Sequence, residues 1–127
     1  MDVYKTREFA RLAGKAGIAD LQLCEAVARA ERGLIDGNCG SELIKQRIAR
    51  TNQGRSGGHR TILFHCRGRR AIFIHVFAKK DQSDLTTDER RIYREAARAF
   101  AKLSVEAIEA LIKQVKWIKI DYAQYQK

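Results

Sequence analysis

Residues 54–81 read GRSGGHRTILFHCRGRRAIFIHVFAKKD. Two runs rich in β-branched and aromatic residues, 59–67 and 71–78, flank the short segment RGRR, which is the pattern of a tight β-hairpin. Cations stand at both ends and in the turn, and no Asp or Glu occurs before Asp81. Pairing Cys66 with Ala71 puts Arg60, Ile62, Phe64, Phe73, His75, Phe77 and Lys79 on one face of the hairpin, because side chains alternate along a strand. Leu63, Ile72, Ile74 and Val76 then fall on the other, the face expected to pack against helices.

Upstream, SELIKQRIAR (41–50) alternates in the same way, with Ile44 and Ile48 on one side and Lys45, Arg47 and Ala49 on the other. This predicts a half-buried strand with a cationic wet face. The glycine-rich TNQGRSGG (51–58) links it to the hairpin. Further back, KTREFARLA (5–13) predicts a short helix stopped by Gly14 and Gly17. A second helix runs from Asp20 to about Arg32, with Leu23, Val27, Ala30 and Leu34 as its buried stripe. The segment DGNCG ends that element.

Downstream, TTDE (86–89) has the form of a capping box, with Thr86 as N-cap and Glu89 three residues on. The helix it opens extends to about Leu103, with Ile92, Ala96, Ala99, Phe100 and Leu103 directed inward. Ser104 caps a shorter helix carrying Val105, Ile108, Leu111 and Ile112, and KWIKIDY (116–122) alternates like a last strand. The sum is an α+β domain, an antiparallel sheet with helices on one face. The opposite face is expected to be free for a ligand.

Length and composition agree with one domain: 127 residues, 45% hydrophobic and 31% charged. No apolar run approaches the 18 or so residues of a membrane span, and the N-terminus lacks the form of a secretory signal. A cytosolic protein is expected. Cys24, Cys39 and Cys66 lie at least fifteen positions apart with no Cys/His ligand spacing, which argues against a zinc site and for buried thiols. The net charge of +10 is confined. Between residues 43 and 80 there are ten cations and no acid, whereas the rest of the chain holds fifteen of each sign. Such a stripe attracts a polyanion.

Arg60 opens one hairpin strand while Lys79 and Lys80 close its partner, so the three meet at one end of the sheet. Lys45 and Arg47 join them if the preceding strand pairs alongside. Arg grips phosphate oxygens bidentately and Lys supplies a compact charge. Cleavage of RNA through its own 2′-hydroxyl needs a base, an acid and charge stabilisation of the phosphorane, and crowded cations lower a lysine's proton affinity toward that use. Arg50, Arg55, Arg67, Arg69 and Arg70 read as phosphate contacts. His59, at an exposed loop end, and His75, on the free face, are candidates for RNA contact or proton transfer, and His65 reads as a structural histidine. Phe64, Phe73 and Phe77 could stack on bases or equally pack in the core.

The fragments KTREFARLAGKAGIAD, IKQRIAR, GRSGGHRTI and FAKKDQSDL, taken in order, resemble the RelE/HigB superfamily of bacterial type II toxin–antitoxin toxins. The resemblance spans residues 3 to 120. It implies a single RelE-like domain over 1–127 that acts as a metal-independent, ribosome-dependent mRNA endonuclease (an mRNA interferase) in the cytoplasm. It also implies no cofactor, and a cognate helix-turn-helix antitoxin as partner beside the ribosome and mRNA. Carried onto this chain, the catalytic basic residues are Lys45, Arg47, Arg60, Lys79 and Lys80. The tyrosine that often follows the basic pair is replaced here by Thr86. ParE-like gyrase poisons share the fold, so a gyrase poison or a non-enzymatic nucleic-acid-binding module is the alternative.

Overall fold

The computed structural model describes residues 1–48 and 58–126. In chain order the elements are β1 (Asp2–Thr6), α1 (Arg7–Ala16), α2 (Asp20–Glu31), β2 (Gly37–Gly40), β3 (Leu43–Ile48), β4 (His59–Cys66), β5 (Arg70–Ala78), α3 (Thr87–Ala101), α4 (Val105–Lys113) and β6 (Trp117–Ile120), followed by a 3-10 turn, Ala123–Gln126. The six strands form one open sheet in the order β2-β3-β4-β5-β1-β6. All neighbours are antiparallel except β1 and β5. The α+β class and the predominantly antiparallel sheet match the expectation from sequence.

Two strands escape the sequence pattern. β1 sits between β5 and β6 and sends Val3 into one core and Tyr4 into the other. A strand buried on both faces has no polar alternation to reveal it. The helix expected at residues 5–13 therefore begins only at Arg7. Thr6 caps it, its hydroxyl accepting the Phe9 N–H at 3.1 Å. Gly14 does not break it; Gly17, at φ 72°, does. β2 is built from GNCG, residues depleted in strands. The turn into β3 has Ser41 and Glu42 both at positive φ (55° and 62°), the geometry of a type I′ hairpin without its usual Asn-Gly signature.

Helices cover both faces of the sheet, which corrects the expected free face. Phe9 and Ala13 of α1 and Leu23, Cys24, Ala26, Val27 and Ala30 of α2 pack with Val3, Ile44, Ile48, Leu63, Ala71, Phe73 and Val76. On the other side Tyr93, Ala97 and Phe100 of α3 and Ile108, Leu111 and Ile112 of α4 pack with Tyr4, Leu43, Ile62, Phe64, Ile72, Ile74 and Phe77. Phe100 and Leu103 pack inward as expected, whereas Tyr93 and Ala97 take the places expected of Ile92 and Ala96. Ile92 and Ala99 are exposed, as are Leu34 and Val105.

The hairpin register differs too. Cys66 pairs with Arg70 and His65 with Ala71, and a bulge follows in which Leu63 faces Phe73 while Ile62 faces His75. The extra residue, Ile74, shifts the alternation by one. Phe73 consequently turns into the α1/α2 core, against Phe9 at 5.2 Å between ring centroids, while His75 and Phe77 stay on the α3 side. Phe64, Phe73 and Phe77 are all buried, so none is available to stack on a base.

Candidate functional site

The β3–β4–β5 register decides which cations meet. Lys45, Ile62 and His75 form one row across the sheet, and Arg47, Arg60 and Phe77 form the next. Residues directly opposite in antiparallel strands share a face. Lys45, Arg47 and Arg60 therefore rise together on the side that α3 covers, at the end α3 leaves open. They line an open depression of about 330 Å³ with Asp36 and Ser83. Two glycines make room for them. A Cβ at Gly37 would lie 2.9 Å from Lys45 Cε, and one at Gly58 would lie 3.3 Å from the Ile48 carbonyl oxygen and 3.5 Å from Arg60 Nη1.

Lys79 and Lys80 follow directly on β5 and are exposed. The Lys79 N–H continues the ladder to the Gly58 carbonyl at 3.1 Å, so both lysines stand at the same sheet end as Arg60, outside the lining of the depression. Arg50 and Arg55 lie outside the described residues. Arg67 and Arg69 are exposed at the opposite end of the hairpin, roughly 23 Å from Arg60 for seven residues of strand. Arg70 is half-buried and donates to the Leu103 carbonyl at 3.0 Å, tying β5 to the end of α3.

The histidines separate by environment. His59 is buried as the first residue of β4, paired with Ile48 and Ala78, and not at an exposed loop end. His65 is structural as expected: its Nε2 meets Glu31 Oε2 at 2.6 Å, and the same carboxylate accepts the Gly68 N–H of the hairpin turn. His75 is half-buried beneath α3, stacked on Tyr93 at 5.2 Å, with Glu89 3.7 Å away. Burial pushes its proton affinity below the ordinary histidine value, with Glu89 and Glu8 opposing. A histidine whose folded pKa is depressed contributes stability that is complete above its unfolded value, about 6.5, and lost as pH falls from there through the folded value. The unfolding midpoint should accordingly drop between pH 7.5 and pH 5, and His75→Gln should reduce that drop. An equal drop in the variant would assign the effect elsewhere.

Three residues of the site escape sequence reasoning. Asp36 Oδ2 accepts the Arg47 N–H at 2.6 Å and pairs with Arg29 at 3.2 Å, fixing the end of β3 against α2. Gln46 is fully buried; it donates to the Ala26 and Leu34 carbonyls and accepts the Asp36 N–H. Asp84, in the link from β5 to α3, meets Lys45 Nζ at 3.2 Å and Arg90 at 3.3 Å, and its Oδ1 also accepts the Leu85 N–H at 2.8 Å. Burial alone would raise the Asp84 pKa. The Leu85 and Lys45 hydrogen bonds and the charges of Lys45 and Arg90 outweigh it and hold the carboxyl below its ordinary value. The only cue in the sequence is that 43–80 lacks acids, so partners for its cations must come from outside it.

Thr86 is the N-cap of α3, in the reciprocal box with Glu89 that the sequence predicts. Burial holds the Cys24 thiol up at about 11 and raises Cys39 as well, which disfavours thiolate chemistry at neutral pH. Among the described residues no cluster of three or more His, Cys, Asp or Glu could hold a metal ion. No helix among them is long and apolar enough to cross a membrane.

A sequence model of one family, described as the RelE toxin of the RelE/RelB toxin–antitoxin system, matches residues 1–120. The chain belongs to the RelE toxin family. It is a RelE-type toxin of a toxin–antitoxin system, and the family implies a cognate antitoxin as partner. No curated protein matches it. The basic depression formed by Lys45, Arg47 and Arg60 lies within the stretch matched to the RelE family.

Proposed function

We propose that this RelE-type toxin is a ribosome-dependent mRNA endonuclease acting in the cytoplasm, and that the depression between β3, β4 and the link to α3 binds the scissile phosphate. One observation carries the reading: three cations of adjacent strands, Lys45, Arg47 and Arg60, share one open cavity at the end of a rigid sheet. Preorganised positive charge of this kind stabilises a phosphorane without a metal. In the reaction the substrate's 2′-hydroxyl attacks the adjacent phosphorus, the 5′-oxygen leaves, and a 2′,3′-cyclic phosphate and a 5′-hydroxyl result. The 2′-hydroxyl proton passes to solvent water, Arg60 and Arg47 take the charge on the non-bridging oxygens, the Lys45 ammonium protonates the departing 5′-oxygen, and Lys79 and Lys80 hold the strand beside the cavity. A helix-turn-helix antitoxin would neutralise the toxin by covering the same cations.

Induced expression followed by mapping of RNA 5′ ends tests the proposal. Cuts within codons of translated messages, with untranslated messages intact, are the expected result. DNA breaks with intact mRNA would instead establish a gyrase poison. Binding to an uncleavable single-stranded RNA should weaken with salt, with a slope in log K against log salt of about −2, the value for roughly three neutralised phosphates. A salt-independent affinity would contradict phosphate recognition.

A further inference from the structure

We infer that Asp84 is a positioning residue for Lys45, holding its ammonium over the cavity that Arg47 and Arg60 also line. The inference rests on the nuclease reading of that cavity and adds a residue to it. A lysine side chain is a flexible four-carbon stem with a mobile charge, so a catalytic lysine needs something to fix it. Here the stem runs against Gly37, where an added Cβ would fall 2.9 Å from Cε, and the ammonium ends 3.2 Å from Asp84 Oδ1.

The carboxylate is itself fixed. Its Oδ1 also accepts the Leu85 N–H and its Oδ2 meets Arg90 of α3. Its backbone carbonyl accepts from Gln82 Nε2 at 2.6 Å, and Gln82 also donates to Glu89, the capping-box residue of α3. The link between β5 and α3 thus carries one acid to one lysine and anchors it to the helix on both sides. Asp84 is a poor general base, because both oxygens are engaged and its proton affinity is depressed rather than raised toward neutrality. Its charge also opposes an incoming phosphate. A positioning role therefore predicts opposite effects on binding and on rate, which a merely structural ion pair does not.

The test uses the full chain carrying Asp84→Asn, which keeps an acceptor for the Leu85 N–H. On ribosomes programmed with mRNA, KM should stay level or fall while kcat drops about ten-fold or more. In a Lys45→Ala background the same change should cost nothing further. A second readout is independent of cleavage: labelling by an amine-reactive ester, followed by mass spectrometry, should increase several-fold at Lys45 but not at Lys79 when Asp84 becomes Asn. A fall in kcat accompanied by a rise in KM and lowered thermal stability would reduce Asp84 to a loop anchor and overturn the inference. A kcat loss that persists without Lys45 would overturn it as well. If the native protein cuts no RNA, the nuclease reading fails by itself, and Lys45 labelling alone decides whether Asp84 holds that side chain, unchanged labelling counting against it.

Discussion

Replacing Arg60 by Ala should slow mRNA cleavage by about 30- to 1,000-fold, the ~2–4 kcal/mol typical of losing one preorganised donor to transition-state charge. Arg60 pairs with Arg47 on one side and Phe77 on the other, and its Nη1 lies against the backbone at Gly58. Its guanidinium is thus held by strand register and close backbone packing. Arg60→Lys should recover little, because an ammonium lacks the planar fork that takes two phosphate oxygens at once. The fold should survive, since the side chain is half-exposed and contributes little to either core. Growth inhibition at equal protein level is the readout. Full toxicity in Arg60→Ala would remove Arg60 from the chemistry.

Gln46→Leu should lower unfolding free energy by about 3 kcal/mol in urea titration, with activity falling alongside. Leucine keeps the volume, so the loss comes from polar groups left without partners, each costing about 1–3 kcal/mol when buried. Gln46 serves three of them at 2.9–3.1 Å: the carbonyls of Ala26 and Leu34 and the N–H of Asp36. Leu34 lies in an exposed segment where water can replace one bond, which is why the sum stays near the lower end. Asp36 in turn holds the Arg47 N–H, so the damage should spread to the cavity. A change below about 1 kcal/mol would mean that water satisfies all three groups and that Gln46 does not tie β3 to α2.

Much of the site was legible because charge and period survive in one dimension. The alternation of Lys45 and Arg47 against Ile44 and Ile48 and the two runs of the hairpin depend only on neighbouring residues. The capping box at Thr86 is equally local. The same reasoning failed where a single residue changes parity. The bulge at Ile74 separates Phe73 from His75 and Phe77, and nothing local to AIFIHVF distinguishes a bulged strand from a regular one. It failed again at α3, where both Ile92 and Tyr93 could have faced inward. The stack of Tyr93 on His75 shows which one does, and that contact joins residues eighteen apart.

By itself the sequence determined the α+β class, the cationic stretch from 43 to 80 and the placement of Lys45, Arg47 and Arg60 on its strands. Those properties follow from composition and from the two-residue period of a strand. Only the tertiary structure decided that these three share a cavity. It alone brought Asp36, from beyond α2, and Asp84, from the link to α3, in beside them. Unbalanced charge is visible in a chain segment, but its compensation is a short-range interaction between groups far apart in sequence. Only folding brings them within the 3–4 Å at which a hydrogen-bonded ion pair forms.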